Sequence, residues 1–428
     1  MAGTKKIKHP ILLTLGVVFI FHSVLKNNND ASSNKHDAVS ITSSDSSQPE
    51  AKTEEVYSPT CEETVYAKPE TYVEDSLWDT GTITTSSERS YSDETIDSQN
   101  ENSSSYVSAS YWDANPYTAI EKAIQEMASQ ITIEDDAYTL TWADVGTMPY
   151  GSFWIKSITS SHYTENGHDY NTYYFEYYNV SSDDIIEMKA QIDERYQEIV
   201  SYIPEDADTF ETARIVHDIL VSEISYDHTL TQDYRTSVYG GLVRGQAVCC
   251  GYATTYCFIL NRLGIPCQII QNDDHSFNKI GSTYVDVTWD DDDCIDENGN
   301  AVIRYTYFGM SLDTVNSIPA HEVAYVSYNE GSDAYILPSY FEYYGYELSY
   351  YDYNAIVNIF REQYSTGNLF PSVHFANSDA YYEFAEKINT DIWSILPDIG
   401  YSGEYIVFYP DEENLTWRLG LSPVISLD

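Results

Sequence analysis

The spacing of apolar positions changes period along the chain, and each change marks an element. From Cys249 to Leu263 the larger side chains recur at Tyr252, Tyr256, Ile259/Leu260 and Leu263, which predicts a helix with one buried face. Gly264 and Pro266 end it, because glycine accepts the left-handed C′ position and proline cannot continue the ladder. Farther on, apolar and polar residues alternate through His275-Ser276-Phe277-Asn278 and again through Tyr284-Val285-Asp286-Val287-Thr288-Trp289-Asp290. A Gly281-Ser282 turn between them predicts a β-hairpin, with His275 opposite Thr288 and Asp286 opposite Phe277. Upstream, the same reading gives a helix over Tyr117–Ile131 and strands over Tyr138–Trp142, Phe153–Ile158 and Thr172–Tyr178. A long helix over Ile185–Ile203, capped by Ser182-Asp183-Asp184, and an amphipathic helix over Thr209–Ile224 follow. Beyond an irregular Tyr-rich stretch, an αβαββ order is expected: helix Asn354–Tyr364, strand Leu369–Phe375, helix Asp379–Leu396, strands Glu404–Tyr409 and Leu415–Leu421.

This layout places particular chemistry. Cys249 and Cys250 fall in the first turn of their helix, where unpaired backbone N–H groups and the helix dipole favour a thiolate. One helical step rotates a side chain by about 100°, so both thiols cannot face the same partner, and Cys250 reads as packing. In the hairpin, His275 and Asp286 share a face as diagonal neighbours, with Cβ atoms roughly 5–8 Å apart. A carboxylate there can accept from imidazole Nδ1–H and leave Nε2 facing a thiol.

The run Ser237-Val238-Tyr239-Gly240-Gly241-Leu242-Val243-Arg244-Gly245-Gln246-Ala247-Val248-Cys249-Cys250-Gly251-Tyr252-Ala253 resembles the catalytic signature of bacterial transglutaminase-like proteins. The resemblance continues through Leu263-Gly264-Ile265-Pro266-Cys267, His275-Ser276-Phe277-Asn278 and Asp286-Val287-Thr288-Trp289-Asp290, and covers roughly Ala207 to Phe308. It implies an α+β fold with a papain-like core, in which the Cys-bearing helix packs on an antiparallel sheet bearing the His and the Asp. It also implies that Cys249 is the nucleophile, His275 the base and Asp286 the orienting acid. Family members often have His-Ala-Trp-Asn and a hairpin about four residues longer. Removing two residues from each strand keeps both partners on the same face. Tyr252, Trp289 and Gly251 are expected to line the substrate cleft.

Composition narrows the setting. The chain has 428 residues, 21 Lys+Arg and 68 Asp+Glu, a formal charge of −47. Such acidity excludes phosphate backbones as partners; it usually serves solubility, though it could attract basic, amine-bearing substrates. Lys5, Lys6 and Lys8 precede the mainly apolar Ile11–Leu25, so residues 1–25 are expected to be an export signal or a short membrane anchor. Residues 26–110, rich in serine and acid, have too few apolar positions to offset chain entropy and read as a disordered linker. An α+β lead-in (111–205), the catalytic core (206–310) and a Tyr-rich accessory α/β region (311–428) complete the expected layout.

No CxxC pair or His-rich spacing suggests zinc, and Asp290–Asp293 does not fit an EF-hand loop, so it reads as a solvated turn. His217 reads as a satisfied core histidine. No metal or organic cofactor is expected. The expected function is that of an exported, cysteine-dependent acyl-transfer enzyme acting on protein or peptide amides, with cell-wall association as a further expectation. A cysteine protease or amidase with the same triad and an inactive surface scaffold are the alternatives. Oligomeric state cannot be read from the sequence.

Overall fold

The computed structural model describes residues 115–134, 138–329, 331, 336–403 and 405–427. The expected signal or anchor and the linker lie outside them. The described chain is a mixed α+β structure that divides into two units, one running to Asp293 and resuming at Ile303–Tyr340, the other holding Cys294–Val302 and Phe341 onward.

The first unit opens with helix α1 (Pro116–Gln125), capped by Asn115, whose side chain accepts from the Tyr117 N–H. It stops well short of the expected Ile131. Met127 takes a positive φ, and Ile131 lies in strand β1 (Gln130–Ile133), paired with Tyr173. The expected strand at Tyr138–Trp142 is also replaced. Thr141 and Asp144 form a capping box that starts helix α2 (Trp142–Thr147), so reciprocal side-chain bonds override the alternating pattern. Strands β2 (Ile155–Glu165) and β3 (His168–Tyr177) form a hairpin longer than expected. Its turn is Asn166-Gly167, both at positive φ, as a tight two-residue turn requires. Helix α3 (Ser182–Tyr202) is capped by Ser181 and Asp184, and α4 (Thr209–Glu223) by Asp208.

Two short strands, β4 (Ser225–Tyr226) and β5 (Gln246–Ala247), pair in parallel and tie the end of α4 to the segment entering the cysteine helix, α5 (Cys249–Arg262). Then come β6 (Cys267–Gln271), β7 (Ser276–Ile280) and β8 (Thr283–Val285). Gly281-Ser282 makes the turn, and Asn278 lies opposite Val285, in the expected register. The chain passes through β9 (Asp291–Ile295) and β10 (Ala301–Ile303) and returns as β11 (Phe308–Met310), α6 (Leu312–Ser317) and β12 (Tyr325–Val326). One antiparallel sheet results, in the order β11-β8-β7-β6-β12. The core unit therefore extends through Tyr340, past the expected limit at 310. Ile270, Phe277, Tyr284, Tyr307, Met310 and Val315 form an apolar cluster in it.

In the second unit, an unexpected strand β13 (Glu347–Leu348) precedes α7 (Tyr353–Ser365), β14 (Ser372–Phe375), α8 (Ser378–Ile399), β15 (Val407–Asp411) and β16 (Thr416–Gly420), which follow the expected αβαββ order. The sheet runs β13-β14-β16-β15. A second ladder joins β10, β9 and β17 (Ile425–Ser426) around Cys294, Val302, Phe370, Val407 and Tyr409.

Candidate active site

The site starts at the N-terminus of α5. Val248 is its cap residue and supplies no side-chain hydrogen bond, so the positive end of the helix faces the first turn uncapped. Cys249 opens that turn and is only 4% exposed. Cys250 turns away: its thiol donates to the Thr236 carbonyl at 3.7 Å, and burial pushes it up to about 12. It packs rather than reacts.

The structure brings Cys249, His275 and Asp286 together. His275 Nε2 lies 2.5 Å from Asp286 Oδ2, and the Cys249 side chain is near enough to the ring to help raise its pKa. The ring is turned the opposite way from expectation, with Nε2 rather than Nδ1 on the acid. The reason is local. The β7–β8 ladder stops at Asn278 and Val285, so Asp286 is released into a turn. There its N–H bonds the Tyr307 carbonyl, and its Oδ1 accepts from the N–H groups of Thr288 (3.0 Å) and Trp289 (3.1 Å). Oδ2 is thereby aimed at the far ring nitrogen. Burial alone would lower the His275 pKa, but the Asp286 charge and hydrogen bond push it up to about 10. In return, His275 outweighs burial at Asp286 and holds that carboxyl well below its usual range. The geometry is that of an imidazolium anchored on an ionised carboxylate.

The residues expected to line the cleft divide. The Trp289 ring is partly buried and lies 5.5 Å from the His275 ring, beside the reacting groups. Tyr252 and Gly251 are interior. Tyr252 is fully buried, its hydroxyl contacting the Ile224 carbonyl and the Asp291 carboxyl. Gly251 is required by close approach, since an added Cβ would stand 2.2 Å from the Arg235 carbonyl oxygen. Helical spacing alone could not separate the face of α5 that meets substrate from the face that meets the chain.

Asp290–Asp293 is buried, not a solvated turn. Each carboxylate has a partner: Asp290 has His217, Asp291 has Tyr252, Asp292 has Arg304 and Asp293 has His228. His217 is fully buried between Asp218 and Asp290. Burial pulls its pKa down, but the two carboxylates carry it up to about 9.

Two site residues gave no sequence signal. Tyr226, in β4, feels the charges of Cys249 and Asp286, and burial first and those charges next push its phenol up. His321 lies in a short Pro319–His321 turn, and its Nε2 is 2.7 Å from the same Asp286 Oδ2 that receives His275. His275, Asp286 and His321 are close enough together to be considered as cation ligands. Their separations are instead those of hydrogen bonds. Nitrogen and oxygen ligands about 2.0–2.2 Å from one tetrahedral zinc ion would stand more than 3 Å from each other. The trio would have to open, and both Nε2 hydrogens leave, to hold such an ion.

Residues 197–293 match the family model of the transglutaminase-like superfamily, a span that holds Cys249, His275 and Asp286. Residues 197–293 thus resemble a transglutaminase-like domain. No curated protein matches the chain. Among solved structures, a crystal structure of a TGase aligns at 12% identity with a TM-score of 0.23. That alignment covers 51% of this chain and 65% of the other. The domain match supports a cysteine-dependent, acyl-transfer or protease-like function at the coarse level.

Proposed function

We propose that this protein is a cysteine-dependent acyl-transfer enzyme acting on protein or peptide amides through a thioester. The observation that carries the reading is the His275 imidazole held on the Asp286 carboxylate, with the Cys249 side chain close enough to act on it. Cys249 sulfur attacks the amide carbonyl, and the uncapped N-terminus of α5 offers backbone N–H groups to the oxyanion. The His275 ring gives its proton to the departing ammonia or amine as the carbon–nitrogen bond breaks. An incoming amine attacks the thioester and returns a proton to His275, forming a new amide and freeing the thiolate. Water in place of the amine gives hydrolysis.

The test is alkylation of the full chain by iodoacetamide, followed by mass spectrometry of a glutamine peptide incubated with and without added amine. Cys249 should be alkylated at least about tenfold faster than in His275→Ala, since a neighbouring imidazole that takes the thiol proton speeds attack by sulfur. The glutamine peptide should gain the mass of the amine. Equal alkylation rates would overturn the cysteine mechanism, and deamidation alone would turn the reading to hydrolysis.

We further propose that the chain is exported, on the lysines and apolar run of residues 1–25, and that it meets its substrate at the cell surface. Added protease should digest the chain on intact cells. Full protection until lysis would reject export.

A further inference from the structure

We infer that His321 is a positioning residue of the site: its Nε2–H shares the Asp286 carboxylate with His275 and holds it in the orientation that the catalytic imidazole needs. This rests on the cysteine-dependent reading above.

The Asp286 carboxylate has four donors. Oδ1 takes the N–H groups of Thr288 and Trp289, while Oδ2 takes His275 Nε2 at 2.5 Å and His321 Nε2 at 2.7 Å. Two acceptor sites on each oxygen are thus filled, so the carboxylate cannot rotate without breaking charge-assisted bonds. His321 is the side chain that gives Oδ2 its second donor beside His275. Its surroundings leave it no other task. It is fully buried, and its ring lies 4.4 Å from Trp289, 4.9 Å from Phe277 and 5.6 Å from Tyr307. Its Nδ1 has no hydrogen-bond partner among the described residues. A buried imidazole with one nitrogen unpaired carries a cost, and the bond made by the other nitrogen is to the catalytic acid.

The fold fixes the two histidines relative to each other through Asn272. Its Oδ1 accepts from the His275 N–H at 2.8 Å, while its Nδ2 donates to the carbonyls of Ala320 and Glu322, on either side of His321. Pairing of Tyr325 with Gln271 anchors the same segment on β6. One asparagine therefore ties the backbone of the base to that of the second histidine. His321 also lies beyond the 197–293 span that matches the family model.

Removing one donor from Asp286 raises its proton affinity, so the His275 imidazolium loses its counter-charge at higher pH. The other titratable groups facing this cluster are Cys249, Tyr226, Tyr307 and Asp290, and none of them changes in the variants below.

The experiment measures the rate of iodoacetamide alkylation at Cys249 against pH. It compares wild type, His321→Gln, His321→Asn and His321→Leu, each checked for folding by thermal melt. Glutamine can place an amide N–H where Nε2 lies, whereas asparagine is one methylene too short and leucine has no donor. Expected is a His321→Gln profile close to wild type. The folded Asn and Leu variants should react about 10–100-fold more slowly near pH 6, the scale of one hydrogen bond to a charged group, with the acid limb moved to higher pH. Wild-type profiles in folded Asn and Leu variants would overturn the inference. So would a Gln variant as impaired as they are, which would mean that packing alone matters. If Leu does not fold, the Gln-against-Asn comparison decides alone. A wild-type Cys249 that reacts no faster than in His275→Ala would instead remove the parent reading, and this inference with it.

Discussion

A carboxyl that is better off protonated sits just past the turn that holds the one that must stay ionised. Burial, with the charges of Asp293 and Asp292 adding to it, pushes Asp291 well above the usual carboxylate range, against the bond to the Tyr252 hydroxyl. A protonated Asp291 donates to the Tyr252 oxygen, which frees the phenol hydrogen for the Ile224 carbonyl 2.9 Å away. For an acid whose folded pKa is raised, the stabilising contribution is complete below its unfolded value of about 3.9 and is lost as pH rises through the folded one. Asp291→Asn, which keeps a donor and cannot ionise, should therefore melt higher than wild type at neutral pH and converge with it near pH 4. An equal or lower melting temperature for the variant at pH 7–8 would show that the acid is ionised and useful. Little of this was legible beforehand. Four consecutive aspartates read as solvated because each is costly to bury alone, and their partners His217, Tyr252, Arg304 and His228 are distant in sequence.

At the scale of elements, legibility followed the range of the forces involved. Helix α5, the β7–β8 turn and the register of that hairpin were readable, because periodicity and turn chemistry are local and agree with burial. The lead-in was misread where a cap overrode a period, as at Thr141–Asp144, and where Met127 broke a helix that apolar spacing would have continued. The ring orientation of His275 was missed because it depends on where a ladder ends, which is decided by Tyr307 from another strand connection. Gly251 shows the same dependence. Helix α5 can carry Cys249 at its mouth only because its next turn presses against the backbone of Arg235, and an added Cβ would also meet the Ala247 Cβ at 2.8 Å. Neither obstacle is the end of a flexible side chain, so the helix itself has to shift. Gly251→Ala should cost about 1–3 kcal/mol in chemical denaturation, the usual penalty for overpacking. It should also slow Cys249 alkylation by moving sulfur from His275. A variant as stable and as reactive as wild type would mean that α5 seats loosely.

Across the whole molecule, charge is the dominant feature, with 68 acidic against 21 basic residues. Several acids are consumed inside, at Asp286 and Asp290–Asp293, yet these are few against an excess of 47. The remaining field is anionic and long-ranged at low salt, where the screening length is about 10 Å at 0.1 M and about 3 Å at 1 M. It acts on the second half-reaction of the proposed cycle, when an acceptor amine approaches the thioester. A primary amine on a lysine-type side chain arrives as a cation, so the field concentrates it near the protein before it loses a proton to His275. The same field opposes anionic acceptors. Incorporation of a cationic diamine into a glutamine peptide should therefore slow as sodium chloride is raised from 0.05 to 1 M, while a neutral acceptor such as hydroxylamine should be little affected. The comparison separates substrate steering from general effects of salt on the fold, because both acceptors share one thioester. Parallel salt curves for the two would mean that the acidity serves solubility and has no part in choosing the acceptor.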